Sequence, residues 1–389
     1  MNSIISVDKQ YVAGTYGRFP VEIVSGNGSI AVDSQGKEYI DMGTGIGVTG
    51  MGYSDPQWVK AITDQLNKLQ HTSNLYYTEP CAMLAKELCE RTGMSKVFFS
   101  NSGAEANECA IKVARKYSQD KKGEDCYTIV TLVNSFHGRT LTTLAATGQD
   151  HFHKLFNPLT PGFVHVAAED FDQLVDVVSN TKVAGIMMEL VQGEGGVIAL
   201  SQEYVSKVAK LAEEQDIPLI IDEVQTGNGR TGSLYAFMAY GISPDVVSTA
   251  KGLGGGLPIG ATIMSAKVES VLGPGDQGST YGGNPVASAG ALNVISRMDD
   301  EFLQGVKDRI QYVFDAFNGA KGIKSVTGKG LMIGIETERP AKDIVNECME
   351  MGVLCLTAKT KVRLLPALNI PMDLLAKAVD VIKIVAAKE

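Results

Sequence analysis

The sequence predicts an α/β protein, with a large unit built on a mostly parallel central sheet covered by helices and a smaller α+β unit drawn from both termini. Three observations carry that expectation. Within residues 55–298 apolar runs alternate with amphipathic stretches, the pattern of strands joined by right-handed crossovers. The runs Lys96-Val-Phe-Phe99, Thr128-Ile-Val-Thr-Leu-Val133, Gly185-Ile-Met-Met-Glu-Leu190, Leu219-Ile-Ile-Asp222 and Val246-Val-Ser-Thr249 are almost continuously apolar, as strands buried on both faces are. At 389 residues the chain also exceeds a single ordinary core.

Taken in order, residues 1–54 form the N-terminal segment of the smaller unit. Ser29-Ile-Ala-Val-Asp33, the turn Ser34-Gln-Gly-Lys37 and Glu38-Tyr-Ile-Asp41 read there as a hairpin. Residues 55–298 form the large ligand-binding unit, which includes the amphipathic run Ala110–Tyr117 and ends in a helical stretch, Pro285–Met298. Residues 299–389 complete the smaller unit, with strands at Gly330-Leu-Met-Ile-Gly-Ile335 and Lys361-Val-Arg-Leu-Leu365.

Composition narrows the function. The chain is 44% hydrophobic and 20% charged with a net charge of −9, which suits a soluble protein and excludes a basic nucleic-acid or polybasic membrane surface. Small molecules are the expected ligands. Six cysteines without a CxxC pair, and an N-terminus without a basic stretch leading into an apolar one, point to a reduced, cytoplasmic protein. No apolar run reaches the length of a bilayer span.

The chemistry concentrates at strand ends. Lys251 ends an apolar strand and faces Gly252-Leu-Gly-Gly-Gly-Leu-Pro-Ile-Gly260, where a desolvated amine loses its proton readily and becomes a nucleophile able to form a Schiff base. Asp222, at the end of another strand, needs a cationic partner such as a protonated heterocyclic nitrogen to stay charged when buried. Asn101-Ser102-Gly103-Ala104-Glu105 enters a helix, so its backbone N–H groups suit a phosphate, although Ser102 would equally serve as an ordinary N-cap. Phe136 and Arg139 on one loop offer a stacking plate and a carboxylate clamp, or else a core aromatic and a rim charge. The loop Gly278-Ser279-Thr280-Tyr281-Gly282-Gly283-Asn284-Pro285 offers a second phosphate contact. Gly227-Asn-Gly-Arg-Thr-Gly232 satisfies GxGxxG, but no acid stands at a strand end some twenty residues on, as a dinucleotide site requires. No GxxxxGK[ST] loop occurs, His151-Phe-His153 lacks companion ligands, and no metal is expected.

The ordered series Asn101-Ser-Gly-Ala-Glu-Ala106, Phe136-His-Gly-Arg-Thr140, Glu189-Leu-Val-Gln-Gly-Glu194-Gly, Asp222-Glu-Val-Gln-Thr-Gly-Asn-Gly-Arg-Thr-Gly232, Lys251-Gly and Gly278-Ser-Thr-Tyr-Gly-Gly-Asn-Pro285 resembles class III pyridoxal-phosphate aminotransferases of fold type I. The resemblance spans essentially the whole chain and, within the class, is greatest to the acetylornithine branch. It implies pyridoxal 5'-phosphate as cofactor, linked to Lys251, with Asp222 pairing its ring nitrogen. Val224 and Phe136 would flank the ring, and Gln225 would reach its hydroxyl. Ser102, Gly103 and Ala104 would hold the phosphate together with Thr280 of a neighbouring subunit, which makes a homodimer with shared sites a condition of function.

The implied reaction is ping-pong transfer from N-acetylornithine to 2-oxoglutarate in arginine biosynthesis. Arg139 would hold the distal carboxylate of either substrate, and Arg363 the carboxylate that only glutamate carries beside its reacting carbon. Glu194 would neutralise Arg363 when that group is absent, while Tyr16 and Ser279 would also line the substrate side. Without the family frame, Glu194 reads as a solvated loop acid and Arg363 as a strand-edge charge. Gln277 stands where relatives often have histidine, and Thr327 where arginine often precedes Gly-Lys-Gly, so fine donor preference is open. Competing donors are N-succinyl-diaminopimelate, N-succinylornithine, acetyl-lysine, ornithine and 4-aminobutyrate. An aminomutase or epimerase on the same scaffold would need no second substrate, and a non-catalytic binder would not need Lys251.

Overall fold

The computed structural model describes residues 4–388. In chain order its strands are β1 (Ile23–Asn27), β2 (Ile30–Asp33), β3 (Glu38–Asp41), β4 (Lys96–Ser100), β5 (Thr128–Leu132), β6 (Phe163–Val166), β7 (Val183–Met188), β8 (Val191–Gln192) and β9 (Ile198–Ala199). They continue with β10 (Leu219–Asp222), β11 (Val246–Thr249), β12 (Gly260–Met264), β13 (Ile323–Lys329), β14 (Met332–Thr337), β15 (Val353–Leu354), β16 (Leu356–Ala358) and β17 (Lys361–Leu364).

The central sheet has seven strands in the order β4-β12-β11-β10-β7-β5-β6. All neighbours pair in parallel except β12, which runs antiparallel to both β11 and β4. Every residue of β7, β10, β11 and β12 is buried, in agreement with the near-continuous apolarity expected of β7, β10 and β11. The long helix Gly103–Lys122 covers one face, where Ile111, Val113, Ala114 and Tyr117 join Ile129, Met187 and Ile220 in a common core. β12 and β6 were absent from the sequence reading. Glycine at its head disguises β12, and Phe163–Val166 is only four residues with a histidine among them.

The expected hairpin is present, with β2 antiparallel to β3, and β1 extends it. β1 escaped notice because Ser25-Gly26-Asn27 reads as a turn. β15 adds in parallel to β3, so this four-stranded sheet is made from both ends of the chain. A second four-stranded sheet, β13-β14-β17-β16, is wholly antiparallel and carries Arg363 on β17. The GxGxxG loop joins the central sheet to this one. Asn228 Nδ2 donates to Thr249 Oγ1 at 3.0 Å and to the Ala250 carbonyl at 3.1 Å, while buried Arg230 donates to the Pro366 carbonyl at 2.5 Å. Those glycines therefore serve close chain packing, not a dinucleotide.

The loop after Lys251 is clamped by Trp58, the single tryptophan of the chain, on the helix Pro56–Leu66. Its Nε1 donates to the Gly254 carbonyl at 3.1 Å. Gly255 has φ +60°, and a Cβ there would lie 2.8 Å from the same Nε1. Gly255→Ala should combine left-handed strain with this clash and destabilise the fold by about 1–3 kcal/mol. Denaturant unfolding followed by Trp58 fluorescence measures it, and an unchanged midpoint would contradict this account of the loop.

Candidate active site

The C-terminal ends of β7, β10 and β11 are adjacent, and each delivers one ionisable side chain: Glu189, Asp222 and Lys251. Asp222 is 3% exposed, yet its carboxylate is well supplied. Oδ2 accepts from Asn107 Nδ2 at 2.7 Å and from His137 Nδ1 at 2.8 Å, and Oδ1 accepts from the Val224 N–H at 3.0 Å. These donors come from the long helix, from the loop after β5 and from the turn after β10. An acid held in one orientation by three donors is the result.

Lys251 opens a short 3₁₀ turn with φ +45°, a conformation costly for a side-chain-bearing residue and frequent at functional sites. Burial pushes the pKa of its ammonium below the ordinary value. The carboxylates of Glu194 and Asp222 pull the other way, as Glu189 does when ionised, and Arg363 adds to the lowering. A lysine so placed is available as a neutral amine.

Ser102 caps the helix Gly103–Lys122: its Oγ accepts from the Glu105 N–H at 3.2 Å, and Glu105 returns through the Asn101 N–H at 2.9 Å. Gly103 is where Val224 approaches, since a Cβ there would lie 2.6 Å from Val224 Cγ1. Ala104 lies against the Gly138 backbone, where a Cβ would come within 2.9 Å of the alanine methyl. Gln225 is buried, and its Oε1 has no hydrogen-bond partner. Asn101 Nδ2 also donates to Ser279 Oγ at 3.1 Å, which brings the Gly278–Pro285 loop beside the helix start and leaves Thr280 exposed.

The Phe136 N–H donates to Glu189 Oε2 at 3.1 Å. The exposed guanidinium of Arg139 lies 4.8 Å from the ring centre of Phe152 and 5.9 Å from that of Phe136. Across the site Arg363, 4% exposed at its side chain, donates from Nη1 to Glu194 Oε1 at 2.5 Å. The strand-edge alternative fails for Arg363, which is buried on a strand flanked by β14 and β16, whereas Glu194 remains partly exposed, at 31% of its side chain. Tyr16, 74% exposed, meets Arg18 rather than any residue of the Lys251 cluster.

Sequence reasoning passed over Asn107, His137 and Glu189. Each lies inside or beside a quoted motif, so the signal was present. Only the sheet order reveals that two of them serve Asp222 and the third stands next to it. Of the two departures, Gln277 accepts from Lys112 Nζ, and Thr327 Oγ1 accepts from buried Lys361 Nζ at 2.8 Å. Among the described residues no cluster of His, Cys, Asp and Glu suits a metal ion, and no helix is long and apolar enough to cross a membrane.

Comparison with known proteins agrees with this geometry. The model of the family Aminotransferase class-III matches residues 11–385. The acetylornithine aminotransferase of Haemophilus ducreyi is 49% identical over 383 residues, covering 98% of each chain, and that of Methanocaldococcus jannaschii is 44% identical over 97% of this chain and 96% of its own. Among solved structures, ornithine aminotransferase from Toxoplasma gondii superposes with a TM-score of 0.94 at 30% identity, covering 98% of this chain and 94% of its own. N-acetylornithine aminotransferase from Stenotrophomonas maltophilia does so with a TM-score of 0.85 at 32% identity, covering 99% and 98%. The strand-end lysine, the well-supplied aspartate and these full-length matches together make the chain a member of the class III aminotransferase family, of the fold type I architecture.

Proposed function

We propose that the chain transfers the amino group of N-acetylornithine to 2-oxoglutarate, with pyridoxal 5'-phosphate as cofactor, in arginine synthesis. The observation that carries the two-substrate reading is the pairing of buried Arg363 with half-buried Glu194, facing Lys251. The acetylornithine relatives support the donor. We infer a cytoplasmic homodimer, in which Thr280 from the second copy completes each site.

The residues present fit the cofactor. The unpartnered Gln225 Oε1 would accept from its ring hydroxyl, and the capped start of a 20-residue helix at Ser102, Gly103 and Ala104 would take its phosphate. Val224 and Phe136 would enclose the ring, and Asp222 would keep its nitrogen protonated. When bound, the cofactor supplies an electron sink for the carbon carrying the transferred nitrogen. Lys251 would hold it covalently and, once displaced by the incoming amine, would move the proton at that carbon.

Substrate choice would fall to three residues. Arg139, held against two aromatic rings, would take the distal carboxylate of either substrate, with Ser279 also on the substrate side. Arg363 would bind the second carboxylate of glutamate. With N-acetylornithine in place that group is missing, and Glu194 would prevent the cost of an unpaired buried guanidinium.

Three outcomes test this reading. Lys251→Ala should lose the absorption band of the lysine-bound cofactor and at least about a thousandfold in turnover; a variant with the wild-type spectrum would refute it. Against 2-oxoglutarate, N-acetylornithine should be turned over faster than ornithine, 4-aminobutyrate or the succinylated amines, and activity greatest on 4-aminobutyrate and absent on N-acetylornithine would sink the donor assignment. Glu194→Ala should slow the N-acetylornithine half-reaction about tenfold more than the glutamate half-reaction. Equal losses in single-turnover kinetics would count against the switch.

A further inference from the structure

Glu189 has no place in the reaction described above, and its surroundings assign it one. The parallel pairing of β7 with β10 sets Met188 beside Ile221, so the next residues along, Glu189 and Asp222, leave adjacent strand ends side by side. Both are nearly inaccessible, at 6% and 3% exposure. Two carboxylates in such a place do not both remain anions without heavy compensation.

The hydrogen bonds decide between them. Asp222 accepts three, from Asn107, His137 and Val224. Glu189 accepts one, from the Phe136 N–H, to Oε2. Donors favour the ionised form, and Asp222 has three of them to the one of Glu189.

The other charged groups facing Glu189 do not reverse this. Burial is the largest influence and raises its pKa well above the ordinary carboxylate value. Asp222 adds to the rise, and Glu194 does so more weakly. The Phe136 N–H and Lys251 oppose it, and Arg363 is taken up by Glu194. His137, the remaining titratable neighbour, has its Nδ1 on Asp222.

We propose that Glu189 stands in the site as a neutral carboxylic acid, a positioning residue that fixes the Phe136 loop through its backbone N–H and leaves Asp222 the single anion of the two strand ends. Two consequences follow for the proposed reaction. Asp222 keeps its full attraction for a protonated ring nitrogen, undiluted by a second anion. Lys251 is spared a carboxylate that would hold its proton in place, so its amine is freed more easily.

Glu189→Gln is the informative variant, because the amide is neutral and its oxygen still accepts from Phe136. In the cofactor-free protein at neutral pH, infrared difference spectra of wild type against Glu189→Gln should show loss of one protonated-carboxyl C=O band. That readout is independent of the donor and of the cofactor assignment. In the loaded enzyme, Glu189→Gln should leave the spectroscopic pKa of the lysine-bound cofactor within about 0.3 unit and activity within about threefold, whereas Glu189→Ala, without the acceptor, should lose about tenfold or more. The proposal is overturned if no protonated-carboxyl band is lost, or if Glu189→Gln lowers the spectroscopic pKa by more than about one unit, as removal of a real negative charge would. Equal damage from Gln and Ala overturns it as well.

Discussion

A carboxylate buried at the end of β10 must be given hydrogen bonds, and much of the molecule is arranged to give them. Asp222 sits where water does not reach, so its charge persists only with donors fixed around it. The long helix contributes Asn107, which also binds the His137 carbonyl at 2.8 Å, and the loop after β5 contributes His137 itself. His137 is in turn held by Thr147 Oγ1, which accepts its backbone N–H at 2.9 Å. Helix, loop and strand are thereby bound to one another through a single side chain. Phe136 and Arg139 occupy their places because the same loop cannot move without abandoning the aspartate.

Much of this was legible in the residues. Unbroken apolar runs announced β4, β5, β7, β10 and β11, and the turn Ser34–Lys37 announced the hairpin, because such segments obey local rules of burial and turn chemistry. Lys251 and Asp222 stood out as polar residues at the ends of buried strands. What escaped was non-local. Whether Glu189 is a solvated acid or the neighbour of Asp222 depends on β7 lying beside β10, and nothing near residue 189 encodes that. β12 was missed for a similar reason: its short run starts with glycine, and it is buried between the preceding strand β11 and β4, which lies far back in the sequence. Arg363 and Glu194 were named only through the family resemblance, since the residues alone pointed to solvent-facing charges.

The glycine-rich segments show how one residue type serves opposite ends. In Gly227–Gly232 a Cβ at Gly227 would lie 2.7 Å from both the Glu223 carbonyl and the Tyr235 ring, so these positions exist for chain-to-chain contact, with Arg230 bridging to the C-terminal sheet. At Gly103 the same lack of a side chain opens the start of a helix beside Val224. The same residue type thus serves chain packing in one place and a close approach at a helix start in the other. The strand ends around them distinguish the two.

The reversed strand β12 also governs when the site can exist at all. β4, which leads directly into Ser102 and the helix start, is bonded within the central sheet only to β12, and β3 is flanked by β2 and by β15. A ribosome that has released residues up to the end of β11 has made Asp222 and every strand of the parallel core, yet β4 still lacks its partner; the hairpin waits longer still, for Val353. Arg363 emerges after both. The growing chain therefore carries Lys251 before it carries Arg363, and a product truncated after β11 would hold the parallel core with β4 still unpaired in the central sheet.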